Sequence, residues 1–176
     1  MVAQPHVMTA EQFDEFLHRP ENADRDFEFI AGEIIEVPSN TQSSEIAITI
    51  AAYFKMYLIQ NQIDGHVTGE AGLYRIGDER YAQDVAFKRT PTTTEHVDPN
   101  PPELVIEVVS PSDDPRLLSI KISNYLAVGT TVWVAYPADQ RVVTHVPGKG
   151  ATILSADDTL TYAGLPGFEL PVKNIF

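Results

Sequence analysis

The run Glu103-Leu-Val-Ile-Glu-Val-Val-Ser110 constrains the fold more than any other stretch of this chain. From Leu104 to Val109 it is apolar at both odd and even positions, so both faces of the strand must be covered. A strand of that kind sits in the middle of a sheet with layers on either side, which points to a mixed α/β chain. Glu107 interrupts the run. A carboxylate between Ile106 and Val108, sharing its face with Val105 and Val109, is costly to bury unless it meets a cation, a metal or a donor. The alternative is a glutamate at a strand's end that reaches solvent or an arginine.

The elements around this strand follow from periodicity and punctuation. Thr9-Ala-Glu-Gln12 has the pattern of a capping box opening a short helix, whose stripe is Phe13, Phe16 and Leu17 and whose stop is Pro20. Asp26–Ile30 and Glu33–Val37 read as a hairpin turning at Ala31-Gly32, with Glu28 on the face opposite Phe27 and Phe29 and expected to face water. After a loop at Pro38–Thr41, a long helix is predicted from about Gln42 to Gln60, with Ile46, Ile50, Phe54 and Leu58 at four-residue spacing. Strands are predicted over about 66–76 and 80–88, joined by a turn at Gly77-Asp78-Glu79. Simple alternation in the second places Tyr81, Val85 and Phe87 on one face and Ala82, Asp84 and Ala86 on the other. The polar, proline-rich stretch from Arg89 to Pro102 reads as a surface loop.

Beyond Glu107, Ser110-Pro-Ser-Asp-Asp114 caps a further helix, Pro115 suits its first turn and Gly129 ends it. With Leu117 set at 0°, Lys121 falls at about 40° and Tyr125 at about 80°, inside the apolar arc that Leu118 and Ile122 complete. A lysine on a core face needs an anionic partner, unless its stem carries the amine out to water. Thr131–Tyr136 reads as a strand in which Trp133 is core, and Arg141–Val146 as the next. The tail, with Gly148, Gly150, Gly164 and Gly167, reads as short strands and turns at the rim.

The 176 residues suit one domain, 1–176, and contain no cysteine, which excludes disulfides, thiolate zinc sites and cysteine nucleophiles. No stretch reaches the roughly 18 apolar residues of a membrane span. The opening Met-Val-Ala-Gln-Pro-His lacks the pattern of a secretion signal, so a cytoplasmic protein without membrane association is expected. His6, His18, His66, His96 and His145 lack metal-ligand spacing, and neither a nucleophile elbow nor a phosphate-cradling loop is present. A net charge of −13 argues against a surface that grips nucleic acid throughout. Locally, Arg75, Arg80, Lys88 and Arg89 crowd the segment around Asp84, either as phosphate contacts or as the scattered charges of a solvated hairpin.

Asp84, Glu107 and Lys121 together suit one chemistry. Two carboxylates can fix Mg²⁺, or Mn²⁺, whose hard character matches oxygen ligands. A lysine beside them can orient water and offset charge developing on a phosphodiester. An Asp, a Glu and a Lys alone form a weak motif; their placement in two strands and on a helix's core face strengthens it.

The order of several stretches resembles the Uma-two family of restriction endonucleases in the PD-(D/E)XK nuclease superfamily. These are Met8–Phe13, Phe27–Glu33, Asp84-Val-Ala-Phe87, Pro102–Ser112, Lys121 with Tyr125, and Val132–Pro137. The resemblance implies a restriction-endonuclease-like α/β core, a mixed central sheet flanked by helices, here preceded by a helix and a hairpin. It implies a Mg²⁺-dependent DNA endonuclease in which Asp84 and Glu107 bind metal, and a homodimer. Lys121 then takes the place of a lysine normally found two residues after the second acid, where this chain has Val109. Arg75, Arg80, Lys88 and Arg89 become phosphate contacts, and Glu28 either a further acid or a hydrogen-bond partner of Lys121. Gln83, Ser44 and Tyr136 depart from the family's usual proline, histidine and aspartate. The competing expectation is a non-catalytic module for nucleic acid or protein, with Glu107 and Lys121 a structural ion pair.

Overall fold

A computed structural model describes residues 8–37 and 40–176. Three α-helices and two larger sheets organise them, and two points of divergence between the sheets set the position of the site.

Helix α1 (Ala10–Leu17) begins with the expected reciprocal cap, the Thr9 amide donating to Gln12 Oε1 at 2.9 Å. Strands β1 (Phe27–Ile30) and β2 (Glu33–Glu36) form the expected hairpin. Both of its turn residues have positive φ, Ala31 at 52° and Gly32 at 84°, the geometry a two-residue hairpin requires. The Ala31 amide donates to a Glu79 carboxylate oxygen at 2.9 Å, which helps hold a non-glycine residue there. Helix α2 (Thr41–Gln60) is capped by Asn40 and buries Ile46, Ile50, Phe54 and Leu58, as their spacing requires. Pro38 and Ser39 of the preceding loop lie outside the described residues.

The segment expected as two strands contains four: β3 (His66–Gly69), β4 (Leu73–Ile76), β5 (Glu79–Ala82) and β6 (Val85–Lys88). They make one long hairpin that divides between two sheets. Near its base β3 pairs with β6, ending at Gly69↔Val85; towards its tip β4 pairs with β5, starting at Leu73↔Ala82. Residues 70–72 therefore oppose only residues 83–84. This one-residue excess is a bulge, and it bends the ribbon from one sheet into the other. The bulge also breaks the alternation. Tyr81 and Ala86 now share the side facing the later helix, whereas Val85 and Phe87 face α2. The expectation of Tyr81, Val85 and Phe87 on one face is corrected accordingly.

A short strand β7 (Val97–Asp98) ties the proline-rich loop to β4, and the apolar run forms β8 (Leu104–Val108), buried throughout. Helix α3 (Pro115–Ala127) leads to β9 (Thr131–Tyr136), which lies parallel to β8; β10 (Arg141–His145) and β11 (Thr152–Leu154) extend the sheet. The resulting orders are β2-β1-β5-β4-β7 and β11-β10-β9-β8-β6-β3. In the second sheet, Leu104, Ile106 and Val108 pack towards α2, while Val105 packs with Tyr125 of α3.

The tail departs from its expected place at the rim. Strands β12 (Thr159–Thr161) and β13 (Glu169–Pro171) form a small hairpin. Leu160, Leu165, Phe168, Leu170, Val172 and Ile175 are buried in the same cluster as α2. Phe168 stacks on Phe54 with centroids 4.3 Å apart. Tail turns rich in glycine and proline carry core side chains that have no periodicity to reveal them.

Candidate functional site

Where the two sheets part, backbone donors lose their ladder partners and carboxylates replace them. The β6–β8 pairing ends at Val85↔Ile106, and two residues on, the Val108 amide donates to Asp84 Oδ2 at 2.6 Å. The β1–β5 pairing is registered at Phe29↔Arg80, and the Ala82 amide donates to Glu28 Oε1 at 2.8 Å. Amides that lose their ladder partners need such acceptors, so the divergence of the sheets itself draws Asp84 and Glu28 to bare amides at the site. Glu107, on β8, is the third.

Helix α3 brings the cation. Lys121 Nζ lies 2.9 Å from Glu28 Oε1 and 2.8 Å from Glu107 Oε2. One turn further on, the Tyr125 hydroxyl donates to Glu107 Oε1 at 2.9 Å, so both oxygens of Glu107 are engaged. Lys121, Glu107 and Glu28 are each less than a tenth exposed. The inward turn of Lys121 was legible from its helical phase. The burial of Glu28 reverses the expectation of a water-facing carboxylate: β1 lies inside its sheet, between β2 and β5. Its bond to Lys121 is one of the two roles expected of it.

Two of the acids beside the Lys121 ammonium, Glu107 and Asp84, are raised, chiefly by burial. Burial raises Glu107 to about 7; Lys121 opposes the rise, and Glu28 and Asp84 add to it. Burial likewise raises Asp84 to about 6, against the pull of the Val108 amide and Lys121. Burial works against the charge on Lys121, but Glu107 and Glu28 outweigh it and hold the amine well above its ordinary value. Burial and the Glu107 charge together push the Tyr125 hydroxyl up strongly.

These groups open onto a cavity of about 270 Å³. Its acidic lining is Glu28, Glu36, Glu70, Asp84, Glu107, Asp113 and Asp114, and Lys121 is its one cation among the described residues. Among those residues there is no ready-made cluster of three or more His, Cys, Asp or Glu able to hold a metal ion. The donor set still fits Mg²⁺ or Mn²⁺, because Mg²⁺ takes only one or two protein carboxylates and completes its shell with water and phosphate oxygens. Asp84 keeps one carboxylate oxygen clear of the Val108 bond, and the raised values of Asp84 and Glu107 are what a divalent cation would relieve.

The four cations expected beside phosphates are placed differently. Arg80 is buried, and its guanidinium grips Asp14 through two bonds of 2.9 and 2.8 Å. Lys88 is buried against Asp98, and Arg89 bonds to Glu103 and to the Gly164 carbonyl. Arg75 is the one of the four that is exposed and makes no ion pair among the described residues. For Arg80 and Lys88 the expectation of outward phosphate contacts is therefore corrected: a strand's alternation does not reveal that Asp14 and Asp98 are waiting on other segments. His6 lies outside the described residues.

Two residues at the site, Tyr125 and Glu70, have no role assigned to them by the sequence pattern. Tyr125 had a signal, since a hydroxyl on a core face four residues from Lys121 requires a partner. Glu70 had a weaker one, in the Gly69-Glu-Ala-Gly72 stretch that becomes the bulge.

A helix, an antiparallel β3-β6-β8 unit, a second helix and a parallel β9, with acids at the sheet's point of divergence, define a restriction-endonuclease-like α/β fold. The sequence profile of the Uma2 family, described as "Putative restriction endonuclease", matches residues 13–173, and the chain belongs to that family. The fold is shared with the crystal structure of a protein from Anabaena variabilis ATCC 29413, described as "a putative nuclease belonging to DUF820". The two superpose with a TM-score of 0.82 at 22% identity, over 96% of this chain and 97% of that one. No curated protein matches the sequence. No helix of the described residues is long and apolar enough to cross a membrane.

Proposed function

We propose that this protein is a divalent-metal-dependent DNA endonuclease whose whole chain acts as one catalytic domain. Asp84 and Glu107 would hold Mg²⁺ or Mn²⁺, and Lys121 is the catalytic cation. The observation that carries the reading is the delivery of the Lys121 amine, from a separate helix, onto Glu107 at the floor of an acidic cavity that also holds Asp84. When bound, the ion supplies Lewis acidity at a phosphoryl oxygen.

The remaining work falls to the chain's own groups. Lys121, held above its ordinary value, stays an ammonium at neutral pH. It therefore serves as a hydrogen-bond donor to the attacking water or to a non-bridging oxygen, and not as a base. Without metal, Asp84 and Glu107 are raised to about 6 and about 7, so binding of the ion near neutrality would displace protons from them. Glu28 keeps the amine in place from the opposite side, and Tyr125 holds the Glu107 carboxylate in one orientation. The homodimer and the cytoplasmic setting rest on the family resemblance and the cysteine-free sequence.

A second reading has its own support: the direct 2.8 Å contact between Lys121 and Glu107 is what a structural ion pair in a non-catalytic binding module would show. Metal titration separates the two. For the enzyme, Mg²⁺ or Mn²⁺ at about a hundredfold over Kd raises stability by about 3 kcal/mol. Asp84→Asn abolishes that rise together with cleavage of plasmid DNA. An unchanged melting temperature in millimolar Mn²⁺, with no cleavage, would overturn the enzymatic reading.

A further inference from the structure

The cavity above the carboxylates has two kinds of wall. Beside its acids it carries aliphatic side chains: Ile35 and Val37 from β2 and the residue after it, Val109 beyond β8, and Leu117 and Leu118 from α3. These five side chains are only half buried. Aliphatic surface facing a concave space favours an occupant with a weakly hydrated body. A phosphate offers nothing to such walls. A nucleobase does, and about 270 Å³ is room on the scale of one nucleotide, not of a duplex.

The charges agree. A protein that grips duplex DNA by its backbone needs several cations free for phosphate, and its affinity then falls steeply with salt. Here Arg80, Lys88 and Arg89 are bonded to Asp14, Asp98 and Glu103, and Arg116, beside Leu117 in α3, pairs with Glu33 at 3.1 Å. The net charge of −13 adds general repulsion. Apart from the outward-facing Arg75, the cations named for phosphate are already paired with acids, so burying a base beside the phosphate would supply affinity that they do not. In a duplex that base must first be unpaired and unstacked, at a cost of a few kcal/mol; in a single strand that cost is smallest.

We propose, resting on the nuclease reading above, that the substrate is single-stranded DNA. One base enters between the Ile35–Val37 wall and the Leu117–Leu118 wall, while its phosphate lies over Asp84 and Glu107. The test reads binding without turnover. Fluorescence anisotropy is measured in Ca²⁺ for a labelled oligothymidylate and for its duplex with oligoadenylate, each at several salt concentrations. The single strand should bind about tenfold tighter or better, with a salt slope equivalent to about one or two phosphates. Leu117→Ser and Ile35→Ser should each weaken it about tenfold. Thermal melts confirm that each variant is folded, and either one suffices if the other is not.

Equal or tighter duplex binding with a steep salt slope overturns the inference. The nuclease reading survives that result if Mn²⁺ still supports duplex cleavage. Single-strand binding indifferent to the folded variants overturns the placement of the base. Absence of both binding and cleavage for either form sinks the nuclease reading and this inference with it.

Discussion

Replacing Lys121 with methionine tests the electrostatic account of the site most directly. Methionine keeps the length and apolar stem of the side chain, so little packing is lost, while the ammonium that Glu28 and Glu107 share disappears. Removing one partner of a buried pair costs about 3 to 5 kcal/mol, because the other charge is left uncompensated. For a chain of this length that is about 10 °C in melting temperature. The cost depends on pH, and its sign can be worked out. Glu107 already sits at about 7 in the folded protein against 4.5 for an ordinary glutamate, which corresponds to about 3 kcal/mol against the charged form. A carboxyl raised by folding contributes stability that is complete below its unfolded value and is lost as pH rises through its folded value. Without the ammonium the folded value climbs further, so the loss extends to higher pH. At pH 5 Glu107 is protonated in both proteins, so the penalty should be smaller there by about 1 kcal/mol. Thermal melts of both proteins in EDTA at pH 5 and pH 8 measure this. A penalty equal at the two pH values, or larger at pH 5, would refute the reasoning.

Tyr125→Phe removes the donor to Glu107 Oε1 and should cost about 1 to 2 kcal/mol; the lost donor also raises Glu107 further, so the acid limb of the pH–rate profile should move upward, a shift that lost packing alone would not produce. Arg80→Met, which strands Asp14, should lower the melting temperature by several degrees yet leave DNA affinity unchanged, whereas a fall in affinity at full stability would restore Arg80 as a phosphate contact. Phe168→Ala should destabilise by about 3 to 5 kcal/mol, since its ring is fully buried against Phe54 and Trp133. A cost below about 1 kcal/mol would return the tail to the rim.

What the sequence determined by itself is the set of local, periodic features. Both faces of β8 are apolar along the chain, so its central place was legible. The long apolar ridge of α2 and the inward phase of Lys121 follow from 3.6 residues per turn, and the Asp114–Pro115 start of α3 from capping chemistry. Even the need of Glu107 for a partner follows from its neighbours. Tertiary structure alone decided what depends on pairing between distant segments. A one-residue bulge between Gly69 and Leu73 cannot be read from either strand, yet it sends Tyr81 to the α3 side and turns Asp84 to cap Val108. Glu28 looks like an outward residue until its strand is placed between two others, and Arg80 and Lys88 look free until Asp14 and Asp98 are brought to them. The physical reason is the same in each case. Burial, ladder pairing and charge compensation are properties of surfaces that meet, and these surfaces belong to residues up to 93 positions apart.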